Sequence, residues 1–142
     1  MKKPTVRELL DRAERMAESA VADAASSDTP ASMLRASHKA WRAADLAMMA
    51  VLAKLTRRRP RGVSARLLAL EDAADAHGGD LVSFDAHVGS AYADVFLQAE
   101  ERAEFYRPSI VRAAIAEVGA EIVPLARSLV RVGLMQESDE YV

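Results

Sequence analysis

The chain has 142 residues, a formal net charge of −2, no cysteine, and a composition 51% hydrophobic but only 5% aromatic. That length suits one domain, able to withdraw roughly 65–70% of its unfolded surface from water. The charge provides no global attraction to nucleic acid or anionic membrane, and the lack of cysteine excludes disulfides, thiolate nucleophiles and cysteine metal sites.

Much of the apolar content is alanine, the best helix former and a poor space filler, and glycine and proline number only six and five. No segment alternates apolar and polar residues for long enough to make a sheet. The expectation is an all-α, single-domain antiparallel bundle of about five helices over residues 1–136, with an acidic flexible tail at 137–142. The first residues lack the apolar core of a signal peptide and no run is long enough to span a membrane, so a cytoplasmic protein without membrane contact is expected.

Val6, Leu9, Leu10, Ala13, Met16, Ala17, Ala20, Val21 and Ala24 recur at three- and four-residue steps, which predicts a first helix over about 5–25. Thr29 followed by Pro30 is a capping oxygen before a proline at the first helical position, and a second helix runs from about 30 to 55. Its apolar stripe is Met33, Ala36 or Ser37, Ala40, Trp41, Ala44, Met48, Val51 and Leu55. Pro60 and Gly62 break the pattern, Ser64 is placed to cap a third helix over about 65–77 with Leu67, Leu68, Leu70, Ala73 and Ala74 inward, and Gly78 and Gly79 stop it.

After a short "DLV" link, Ser83 is expected to cap a fourth helix over about 84–105, with Phe84, Val88, Ala91, Tyr92, Val95, Phe96, Ala99 and Ala103 inward. Pro108 disfavours helical geometry at Arg107 and so separates a fifth helix, whose apolar face runs from Ile110 to Val132. Pro124 lies within that helix and should kink or split it. The band of Ile110, Val111, Ile115, Val118, Ile122 and Leu125 is wider than one neighbour needs, from which a two-fold dimer is expected.

Chemistry is sparse. Trp41, the only tryptophan, reads as core, with the wall of a nucleotide pocket as the alternative. Arg57, Arg58, Arg59 and Arg61 form the one dense basic cluster, at the end of the second helix, where cations complement the helix dipole. The same arginines offer bidentate forks to phosphate, and with His38 and Lys39 beside Trp41 they are the candidate ligand-binding residues. His77, Asp80, Asp85 and His87 crowd one connection, but the histidine and glutamate spacings of bundle metal sites are missing, so no metal or other cofactor is expected. No serine stands in a nucleophile-elbow context. Glu100, Glu101 and Glu104 beside Arg102 and Arg107 read as surface ion pairs.

The order of these pieces resembles the archaeal PaREP-type proteins, a branch of the HEPN superfamily of helical domains. The resemblance covers about residues 5–132 and rests on Ala36, Ser37, Lys39, Trp41, Ala43 and Ala44, with Glu104, Phe105, Tyr106 and Pro108. It implies a compact antiparallel bundle, often a homodimer, in a superfamily that includes ribonuclease toxins and inactive companions of nucleotidyltransferases. Catalytic members carry an Arg followed four to six residues later by a His. No Arg stands so before His38, His77 or His87, and at the nearest counterpart, Arg102, the second position is Arg107, which leaves no acid or base that titrates near neutrality. The expected function is a non-catalytic, dimeric HEPN-like module that binds a partner protein such as a nucleotidyltransferase, or a nucleotide or RNA ligand. The alternatives are a metal-independent ribonuclease using Arg102, Tyr106 and Arg107, or a purely structural homo-oligomer.

Overall fold

The computed structural model describes residues 3–97 and 108–140. Within them the chain forms five helical rods and no strand: α1 (Val6–Ala25), α2 (Pro30–Leu55), α3 (Val63–His77), α4 (Asp80–Ala91), and a fifth rod made of α5 (Pro108–Glu117) and α6 (Val123–Glu140). Among the described residues no helix is long and apolar enough to cross a membrane.

The first two helices start where side-chain oxygens can satisfy their leading N–H groups. Thr5 accepts from the Glu8 N–H at 3.1 Å, and Thr29 accepts from the Ser32 N–H at 3.1 Å while Ser32 reaches back to the Thr29 N–H. The next two boundaries differ from expectation. Gly62 and Gly79, not Ser64 and Ser83, precede α3 and α4, and neither helix has a side-chain cap. Gly78 and Gly79 adopt φ of 65° and 59° in succession, a left-handed pair open to glycine at little cost, so the chain reverses there and "DLV" is already helical.

Pro124 acts by a route other than a break. Its missing N–H would leave an upstream carbonyl without a helical partner, and the rod passes through a π turn, Val118–Ile122, in which the Val123 N–H donates to the Val118 carbonyl five residues back. The rod then continues to Glu140. Nothing after Gly133 in "LMQESDE" obstructs the helix. A second π turn, Tyr92–Leu97, extends α4.

The core centres on α2, which packs against every other rod. A single apolar stripe was the expectation, yet Ala43, Ala47, Ala50 and Leu52 are buried alongside Met33, Ala40, Trp41, Ala44, Met48 and Val51. An alanine face is short enough to be enclosed by neighbours, so a helix that reads as amphipathic becomes an axle. Its broadest interface is with α1, whose Ala13, Ala17, Ala20 and Ala24 are all buried.

Several apolar positions lie outside the core. Val21, Leu68, Ile110 and Val132 are exposed, Leu68 by 60%, because each stands at the margin of its helix face. Most of the apolar band of the last rod is covered within one chain: Val111, Ile115, Val118 and Ile122 are each at most 2% exposed, Leu125 is half-buried, and Ile110 remains exposed. Neighbours α1, α2 and α4 together cover what one neighbour could not.

Trp41 is 3% exposed and meets the Tyr92 ring edge-on, with centroids 5.3 Å apart and planes at 62°. Its face is spent on packing and offers no stacking wall for a base. Trp41→Ala should therefore cost about 3–5 kcal/mol by leaving a cavity, read by urea denaturation with circular dichroism; a loss under about 1 kcal/mol would contradict this placement.

Candidate functional site

The loop between α2 and α3 holds the four clustered arginines, and its shape is imposed from both ends. The Thr56 N–H and hydroxyl both donate to the Leu52 carbonyl, at 2.9 and 2.7 Å, closing α2. Arg57 follows with φ of 58°, a left-handed helix end that costs a residue with a side chain about 1–2 kcal/mol. At the far end Arg66 grips Asp45 of α2 with Nε and Nη2, at 2.7 and 2.5 Å, and donates from Nη1 to the Pro60 carbonyl at 3.3 Å. Both partners are largely buried, 13% and 17% exposed. A desolvated, two-pronged pair of this kind is geometrically demanding, and it folds the loop back against α2.

The fold-back encloses a cleft of about 360 Å³. Lys3 and Pro4 before α1, Arg59, Pro60, Arg61 and Gly62 of the loop, and Arg66 form its walls; Leu9 and Met49 form an apolar floor. Arg66 is occupied by Asp45, so the available charge is that of Lys3, Arg59 and Arg61, which make no ion pair among the described residues. Cations aimed at a recess with an apolar floor suit a ligand that is anionic at one end and apolar at the other.

The remaining candidates separate. Arg57 and Arg58 are exposed and lie outside the cleft lining. Lys39 lies apart from it, ten residues before the cleft residue Met49 on α2, about 15 Å at 1.5 Å per residue. Its ammonium donates to Asp23 at 2.5 Å and Ser19 at 2.9 Å, which ties α2 to α1. His38, beside it, is half-buried on α2. The ribonuclease candidates Arg102, Tyr106 and Arg107, with Glu100, Glu101 and Glu104, lie outside the described residues.

At the α3–α4 connection, His77 and Asp80 point to solvent, and His87 Nδ1 lies 3.7 Å from Glu117. Among the described residues no three acidic or histidine side chains come together as metal ligands. Burial raises the Asp85 carboxyl above its ordinary range, and the negative charges of Glu71 and Asp75 raise it further.

Sequence reasoning missed three contacts that bind the bundle together. Besides Asp45–Arg66, Arg112 donates to the Ala24 and Ser27 carbonyls at 3.3 and 3.0 Å, giving the end of α1 the cation that its own last turn lacks. Arg127 bridges Asp11 and Glu14 at 2.9 and 3.1 Å, and the hydrogen bond to Asp11 is the main cause that raises its already high pKa. Residues 85 or more apart in sequence carry no local signal of such pairs.

Comparison with protein-family models, with curated proteins and with solved structures finds no match for the chain.

Two expectations follow from these charges. Asp45→Ala strands a largely buried guanidinium and frees Pro60, so it should cost about 2–3 kcal/mol and speed tryptic cleavage within 57–61; unchanged cleavage would separate loop shape from the pair. Because folding raises the Asp85 pKa, its contribution is most favourable in acid and is lost as pH rises through the raised value. Asp85→Asn should thus melt about 1–2 °C higher than the parent at pH 7, with the advantage gone near pH 3; a uniform shift at both pH values would rule out the titration.

Proposed function

We propose that the protein is a non-catalytic helical module that binds a phosphorylated ligand, a nucleotide or a stretch of RNA, at the cleft between the start of α1 and the loop after α2. The observation that carries this reading is the convergence of Lys3, Arg59 and Arg61, none paired among the described residues, on a recess floored by Leu9 and Met49. Guanidinium forks match phosphate oxygens, and the apolar floor matches a ribose or base. Gly62 also brings the uncapped start of α3 to the cleft wall, where N–H groups and the helix dipole favour an anion. The HEPN resemblance supports the same class of ligand, and the missing Arg-to-His step supports a binding role over a nuclease. That resemblance also implies a homodimer and a nucleotidyltransferase partner. Of the apolar band of the last rod, Val111, Ile115, Val118 and Ile122 lie inside the protomer, and only Ile110 stays exposed for a second copy to cover.

Labelled nucleotides and RNA incubated with the pure protein test the proposal: retention without cleavage agrees with it, cleavage favours the ribonuclease, and no retention defeats both. Each phosphate contact adds about 0.7–0.9 to the log–log salt slope, so Arg59→Ser with Arg61→Ser should flatten the slope by about 1.5. Arg57→Ser with Arg58→Ser should leave it nearly unchanged. Equal effects from the two pairs would mean a diffuse basic loop in place of a cleft.

A further inference from the structure

We propose that the groove between α1 and α2 is a track for one single strand of nucleic acid, entered at the loop cleft and leading toward Lys39. The proposal rests on the phosphate-binding reading of the cleft and extends it along the surface. A second recess, of about 310 Å³, is lined by Arg12, Arg15, Met16, Ser19 and Lys39. On α1, Leu9, Arg12, Met16 and Ser19 follow one another at three- and four-residue steps; on α2, Lys39, Arg42, Leu46 and Met49 do the same. Leu9 and Met49 line the cleft, while Met16, Ser19 and Lys39 line the recess, so the same two helix stripes contain both.

Lys39 and Met49 are ten residues apart on α2, about 15 Å of rise. Arg12, Arg15 and Arg42 are exposed along this stretch and make no ion pair among the described residues. The carboxylates near these arginines on α1 and α2 are Glu8, Asp11, Glu14, Glu18, Asp23 and Asp45. Arg127 holds Asp11 and Glu14, Lys39 holds Asp23 and Arg66 holds Asp45, which leaves Glu8 and Glu18. Cations spread over such a distance, beyond those of the cleft, suit a chain of phosphates and exceed what one nucleotide presents. The floor between them, Met16, Leu46 and Met49, is half-buried and apolar. It can take the faces of unstacked bases, which a duplex keeps hidden, and methionine's soft side chains impose no hydrogen-bond code. Low sequence selectivity follows.

Fluorescence anisotropy with labelled oligouridylates of two to eight nucleotides at low salt tests the track. Affinity should rise at least tenfold from dimer to hexamer. In the Arg12→Ser, Arg15→Ser, Arg42→Ser variant, its fold checked by circular dichroism, the hexamer should fall to the dimer's affinity, with a salt slope lower by about two. Dimer binding at the cleft should persist. A dimer that binds as well as the hexamer, or a hexamer indifferent to the triple change, overturns the track and leaves the cleft reading standing. An RNA duplex, or an acidic peptide of equal charge, that competes as well as the hexamer overturns the single-strand assignment. Absence of binding at every length removes the cleft reading as well.

Discussion

The arrangement depends on the enclosure of α2. A helix can be surrounded by neighbours only if its side chains are short on the faces where backbones approach, and α2 has Ala36, Ala40, Ala43, Ala44, Ala47 and Ala50 there, all fully buried. The larger side chains, Met33, Trp41, Met48 and Leu52, fill the gaps left between rods. Close packing of α1 along this axle follows from its own alanine ladder. The other rods are then placed by what α2 still exposes, α3 by Asp45 and the last rod by the apolar side opposite.

Arginine serves two distinct purposes in this framework. Arg66, Arg112 and Arg127 reach across between elements, and each has its donors matched to a carboxylate or to helix-end carbonyls. These cations hold the rods in register, a task suited to a planar fork with several donors. Arg12, Arg15, Arg42, Arg59 and Arg61 are charge left over for solvent or a ligand. Within a chain of net charge −2, these arginines are cations that Asp11, Glu14, Asp23 and Asp45, engaged with Arg127, Lys39 and Arg66, do not neutralise.

The candidate site was partly legible. The arginine cluster after α2 stands out in the sequence because Arg57 to Arg61 are crowded, and charge density needs no fold to be noticed. Which of them act together was hidden: the division between Arg59 and Arg61 at the cleft and Arg57 and Arg58 outside it comes from the left-handed turn at Arg57 and the Arg66 grip on Pro60. Lys3 and Leu9 could not be assigned to the same place, since they lie some fifty residues upstream and meet the loop only because α1 and α2 run antiparallel. Trp41 and Lys39 attracted attention as neighbours of an unusual residue, yet their surroundings make one a core side chain and the other a strut to Asp23.

By itself the sequence determined the helical class, the extents of α1 and α2, the Thr29 cap and most of the buried residues, because periodicity, capping and proline placement act within a turn or two of chain. Other outcomes needed the tertiary structure. Burial of α2 on most of its circumference depends on how many neighbours gather round it, and the starts of α3 and α4 at Gly62 and Gly79 depend on where the chain must reverse. The π turn before Pro124 is one of two ways a rod can absorb a missing donor, and packing of Val118 and Ile122 against the core favours keeping the rod whole. Pairing of Asp45 with Arg66, and the cleft that results, joins residues far apart in the chain. Local pattern carries the energy of one turn of helix, whereas a site is made of side chains that only the closed bundle brings within reach.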